Sequence, residues 1–194
     1  TTLLNGGEIL CPTFDFKEGS KKYTGKKMRL AEDEVLVIEG IHCLNDKLTE
    51  SIPKELKYKI YISALTVLNV DYYNRISTTD SRLIRRMVRD HNFRSYTAMH
   101  TLQMWNSVNK GENQYIFPFQ DEADSMFNTS LIYELCVLKK YALPMLQEID
   151  NSYVEYAEAK RLCEFLKYFE DIEDKYVPQN SLLREFIGGS IFEY

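Results

Sequence analysis

The chain has 194 residues, 44% hydrophobic and 27% charged, which excludes wholesale disorder and is enough for a self-supporting core. Its formal net charge of −5 excludes a generally basic nucleic-acid binder. No run nears the ~18 apolar residues of a membrane span, and no signal peptide opens the chain, so the expected setting is cytoplasmic. Four cysteines, at 11, 43, 136 and 163, form neither a disulfide lattice nor a Cys-x-x-Cys ligand set, and free thiols are expected. The chain opens on Thr1 rather than Met, and the expectation is a fragment of a longer protein.

Residues 9–16 read as an extended stretch, with Pro12 arguing against helix. A basic, glycine-bearing turn region is expected over 17–27. Residues 34–40 hold four consecutive apolar side chains, Val35 to Ile38, then Glu39 and Gly40. Such a run predicts a strand buried on both faces. A second strand is expected over 58–63, and the segment between the two has the length of a parallel crossover. Ser77 to Asp80 offer capping oxygens for a helix running from 81 to about 92. A second helix is expected over 97–108 and a short strand over 123–128. Helical periodicity returns over 131–149 and 153–169, before an acidic connector at 170–175 and a last segment at 181–187. Strands mixed with helices predict an α/β fold.

The most informative segment is 82–94, where five of the chain's nine arginines fall within thirteen residues of an acidic protein. Arg82, Arg85, Arg86 and Arg89 follow helical spacing on one face, opposite Leu83, Ile84, Met87 and Val88. Like charges so placed repel by a few tenths of a kcal/mol per pair, unless a polyanion or carboxylates compensate. The planar guanidinium fork suits phosphate oxygens. The other reading of the same spacing is a solvated face neutralised by acids such as Asp80 and Asp90.

Glu39, at the carboxyl end of an expected strand, stands where open α/β sheets bind ligands and where a carboxylate can hold Mg²⁺. A strand-terminal turn explains Glu39-Gly40 equally. Phe14, Asp15 and Phe16 combine two aromatic rings with a carboxylate, suited to a ring and a sugar or to an ordinary core. Trp105 is expected in the core. His42, His91 and His100 lack ligand spacing. The eight glycines form neither Gly-x-x-x-x-Gly-Lys-Ser/Thr nor Gly-x-Gly-x-x-Gly.

The order of these segments resembles the phosphoribulokinase/uridine kinase family of P-loop kinases. The likeness rests on Leu3-Leu4-Asn5-Gly6, Pro12-x-Phe14-Asp15-Phe16, Val37-Ile38-Glu39-Gly40-Ile41 and Arg85-Arg86-x-x-Arg89-Asp90-x-x-x-Arg94. Residues from Ile60 through Thr78-Thr79-Asp80-Ser81-Arg82-Leu83, 116–128 and 183–190 resemble the bacterial nucleoside kinase branch, often called uridine kinase.

The resemblance implies a P-loop kinase-like parallel sheet flanked by helices, incomplete at the N-terminus, with kinase-domain residues 1–150 and a helical C-terminal extension, 151–194, packed on them. It implies transfer of the γ-phosphoryl group of ATP to a nucleoside 5′-hydroxyl, with Mg²⁺. Glu39 corresponds to the metal-associated acid, and Arg86, Arg89 and Arg94 to lid arginines around the phosphates. Phe14, Asp15 and Phe16 correspond to the nucleoside contacts. The family's P-loop and catalytic aspartate would precede Thr1, so the chain alone is expected to be inactive. Phe14 stands for the usual tyrosine, Gly19 for a base-contacting histidine, and Ser95-Tyr96 for the common Gly-Arg, which leaves pyrimidine specificity open. Open too are the oligomeric state, a different sugar or phosphosugar acceptor, and a non-catalytic relative whose arginine face docks an acidic partner.

Overall fold

The computed structural model describes residues 1–15 and 20–192. Two compact units are present, Thr1–Lys59 and Ile60–Tyr194.

In the first unit, β1 (Glu8–Asp15) pairs antiparallel with β2 (Ser20–Arg29), Glu8 opposite Arg29 and Thr13 opposite Lys22. The register shifts between Leu10 and Pro12, as expected where a proline has no N–H to donate to a ladder. β1 follows the extended reading of 9–16, although Phe16 lies outside the described residues. The basic region at 17–27 is not simply a turn, because 20–29 form a strand. That strand is exposed at nearly every position, so it carries no apolar/polar alternation to announce it.

The expectation for 34–40 also fails. Residues 35–39 form no regular element, and Val35 and Val37 are 86% and 85% exposed. A buried strand needs a ladder partner for its backbone, and neither described sheet pairs with this run. After Gly40 the chain turns, with the Cys43 amide donating to the Gly40 carbonyl (3.1 Å). Two single-turn helices follow, Asp46–Thr49 and Lys54–Leu56. Lys59 (2.9 Å) and Lys57 (3.1 Å) both reach Asp46 and hold its carboxyl down at about 2.

In the second unit, β3 (Ile60–Ser63) pairs in parallel with β4 (Ser125–Asn128), Ile60 opposite Ser125. The partner of β3 is therefore β4, not the 34–40 run. The crossover carries two helices, α1 (Thr78–Arg94) and α2 (Ala98–Tyr115). Ser77 caps α1, its hydroxyl accepting from the Asp80 amide (3.2 Å), and Thr97 caps α2 in the same way through His100 (3.2 Å). Leu83, Ile84, Met87 and Val88 are buried, as the helical spacing requires, and Trp105 of α2 joins the same core.

The remaining helices are α3 (Glu134–Gln147), α4 (Tyr156–Leu166) and α5 (Arg184–Ile187). Leu138, Leu146 and Leu162 are fully buried between them. A fully buried leucine contributes about 1.5–3 kcal/mol relative to exposure, so this helical core supplies the unit's main stabilisation. Arg184 fixes the last segment by donating to the carbonyls of Asp174 (2.8 Å) and Val177 (2.7 Å). Among the described residues no helix is long and apolar enough to cross a membrane.

α1 ends at Ser95, which adopts φ 56°, ψ 29°, while the Tyr96 amide closes onto the Asp90 carbonyl (3.1 Å). This left-handed position is disfavoured for any residue with a Cβ. It is also the place where the resemblance implies glycine. Ser95→Gly should stabilise the protein by about 0.5–1 kcal/mol, read as a higher denaturant midpoint at unchanged m-value. A lower midpoint would show that the serine makes a contact worth more than the strain.

Candidate anion site on helix α1

The five arginines of 82–94 stand on one amphipathic helix, yet the structure treats them differently. Arg82 pairs with Glu112 of α2 through both guanidinium termini, one of them at 2.7 Å. Arg85 is almost fully buried and pairs with the equally buried Glu134 at the start of α3, its Nε donating to Oε1 at 3.0 Å. Its Nη2 also donates to the Thr129 carbonyl (2.5 Å), and its guanidinium lies over the Phe186 ring at 5.2 Å. Glu134 is further satisfied by the Ser81 hydroxyl (2.5 Å) and the Leu131 amide (2.9 Å). With its hydrogen-bonding capacity filled, this pair meets the condition under which a buried ion pair is tolerated. Arg82 and Arg85 are therefore bracing residues. They share the sequence spacing of the other arginines, and Arg82 is as exposed as Arg86 and Arg89, but each is matched by a carboxylate of its own from another helix.

Arg86, Arg89 and Arg94 instead converge on one carboxylate of their own helix, Asp90, whose side chain is only 1% exposed. Arg89 donates to Oδ1 through Nε (3.0 Å) and Nη2 (2.9 Å), and Arg94 Nη1 lies 3.2 Å from the same oxygen. Arg86 Nε lies 3.2 Å from Oδ2, without the alignment of a hydrogen bond. Burial lowers the Arg86 guanidinium pKa, Asp90 opposes that change, and Arg89 and Arg94 add to it by repulsion. Three cations on one anion leave an excess of positive charge. Arg94 remains 47% exposed, and Arg86 and Arg89 about a quarter. The structure thus brings the three predicted lid arginines together as a partly solvated cationic cluster, suited to a polyanion.

The other predicted residues belong to the first unit. Phe14 and Asp15 lie at the end of β1, opposite Lys21 and Ser20 of β2, and Phe16 lies outside the described residues. Glu39 is exposed and is followed by the turn at Gly40 instead of ending a buried strand. Its charge is felt by Cys43, whose thiol pKa is raised by burial first and by Glu39 second. Among the described residues no group of three or more His, Cys, Asp or Glu side chains could cage a metal ion. A single exposed carboxylate still fits Mg²⁺ held mainly by waters and phosphate oxygens, which needs only one or two protein carboxylates. Asp90 was missed as a site residue in the sequence. Its i+4 spacing from Arg86 and i−4 spacing from Arg94 was the available signal.

The model of the phosphoribulokinase/uridine kinase family matches residues 1–131, and the chain belongs to that family. Uridine kinases of Clostridium perfringens, from strain ATCC 13124 and from strain 13, are each 32% identical over 124 residues, covering 63% of this chain and 51% of the relative. The uridine kinase of strain SM101 matches to the same extent. The chain thus spans about half the length of the curated relatives it matches. No solved structure matches.

Glu134→Gln separates bracing from ligand binding. Removing the charge leaves Arg85 uncompensated in the interior, which should destabilise the protein by about 3–5 kcal/mol. Equilibrium denaturation measures the loss. A change below about 1 kcal/mol would mean that the pair behaves like a solvated surface bridge.

Proposed function

We propose that this chain is part of an ATP-dependent nucleoside kinase that moves the γ-phosphoryl group of ATP to the 5′-hydroxyl of uridine or cytidine, within a P-loop kinase fold. The observation that carries the reading is the gathering of Arg86, Arg89 and Arg94 on a single buried carboxylate, in a member of a kinase family. The names of the Clostridium relatives support the nucleoside as acceptor.

In such a transfer the acceptor oxygen forms a bond to the γ-phosphorus while the bond to the bridging oxygen breaks and ADP leaves. Catalysis is then mainly positioning and stabilisation of charge on the phosphoryl oxygens. The three guanidiniums neutralise that charge, and their planar forks hold the phosphates in line. Phe14, Asp15 and Phe16 are assigned to the nucleoside. Glu39 offers one oxygen to Mg²⁺, which when bound neutralises phosphate charge. The cytoplasm is the proposed setting. These 194 residues contain no Gly-x-x-x-x-Gly-Lys-Ser/Thr, so turnover belongs to the full-length protein.

The test is kinetic. In the full-length protein Arg89→Lys and Arg94→Lys keep the charge but lose the fork, and each should lower kcat by about 10²–10³. Glu39→Gln should raise the Mg²⁺ concentration for half-maximal rate without shifting the melting temperature. Full turnover in both arginine variants would leave the cluster as a docking face for an acidic protein. A substrate panel that rejects pyrimidine nucleosides and accepts another sugar would retain the kinase and replace its acceptor.

A further inference from the structure

Asp90 is an unusual place for a carboxylate. It lies in the last turns of α1, where the helix dipole disfavours negative charge, and it is almost completely buried. What offsets both penalties is the set of three arginines around it. Its two oxygens are unequally used. Oδ1 accepts two hydrogen bonds from Arg89, at 3.0 and 2.9 Å, and forms an ion pair with Arg94 Nη1 at 3.2 Å. Oδ2 is buried, with Arg86 Nε at 3.2 Å but no aligned hydrogen bond. One carboxylate cannot occupy the donors of three guanidiniums, each of which carries five N–H groups. The arginines are therefore held at their inner edges, with donors left over.

We infer that Asp90 is a positioning residue: its carboxylate gathers Arg86, Arg89 and Arg94 into one preorganised cluster for the phosphates of a nucleoside triphosphate. This rests on the reading of the arginines as a phosphate site and adds to it the element that sets their geometry. Without a central anion the three guanidiniums repel one another and spread into solvent, because each side chain regains its rotamer freedom.

The sign of the change in affinity distinguishes a positioning role from a purely electrostatic one. Asp90→Asn makes the cluster more positive by one unit. If Asp90 acts only through its charge, the variant binds a polyanion more tightly. If Asp90 positions the arginines, the variant binds it more weakly, because misplacing the donors outweighs the added charge.

The experiment is calorimetric titration of inorganic tripolyphosphate and of orthophosphate into the full-length protein, for wild type, Arg94→Ala, Asp90→Asn and Asp90→Glu. The expected result for Asp90→Asn is tripolyphosphate affinity lowered by at least about tenfold, the scale on which ångström misplacements act. Because Asp90→Asn removes a buried charge, Asp90→Glu serves as the second variant. It keeps the negative charge but moves the carboxylate by one methylene, and its melting temperature is measured alongside to confirm that the variant is folded. It should bind tripolyphosphate several-fold more weakly while orthophosphate, which needs only one donor group, changes little. Unchanged or tighter tripolyphosphate binding in Asp90→Glu, or in a folded Asp90→Asn, overturns the positioning role. Unchanged binding in Arg94→Ala overturns instead the phosphate site on which the inference stands.

Discussion

The buried pair of Arg85 and Glu134 is the interaction on which the second unit depends. It joins the middle of α1 to the first turn of α3, and through Thr129 it reaches the chain just after β4. Desolvating two charges is expensive, and the structure offsets that by filling the remaining hydrogen-bonding positions with Ser81, Thr129 and Leu131. Other ion pairs repeat the arrangement around the same helix. Glu112 of α2 holds Arg82, and Arg161 of α4 donates to both oxygens of Asp80 at 2.7 and 2.9 Å. α5 closes the set through Asn92, whose side-chain amide donates to the Phe186 carbonyl (2.9 Å). α1 is thus an axle to which four helices are tied, each by at least one directional polar contact.

This construction explains how a helix can carry five arginines in thirteen residues. The repulsion among them is divided among three carboxylates from different places in the chain. Glu112 and Glu134 neutralise one arginine each, from other helices. Asp90 takes three, from the same helix. Charge left unbalanced is therefore confined to the C-terminal turns of α1, where the helix dipole favours cations. A rigid, well-braced helix that concentrates its spare charge at one end is a suitable mount for a phosphate clamp.

Much of this was legible in the sequence because α1 is strongly amphipathic. Its apolar face follows from spacing and its cap at Ser77 from residue type, while the burial of Trp105 and the approximate positions of β3 and β4 were expected from local composition. The pairing of those strands did not follow, since their partners lie 65 residues apart and either could have joined another apolar run. Val35 to Ile38 shows the same limit from the other side: four apolar residues specify a strand only where neighbours supply a ladder. β2 was hidden for the opposite reason, being polar on both faces. Arg85 and Arg86 are adjacent and identical in type, yet one is a brace and the other a cluster member. What separates them is Glu134, 49 residues away from Arg85, and no local pattern carries that information.

We propose that the arginines of α1 fall into two sets, braces and phosphate ligands. The Nε–Hε resonances of arginine report on each guanidinium separately, so their response to added ATP in the full-length protein tests the division directly. Arg86, Arg89 and Arg94 should shift on ATP addition while Arg82 and Arg85 stay fixed. Uniform shifts across all five, or none at Arg86, Arg89 and Arg94, would contradict the account.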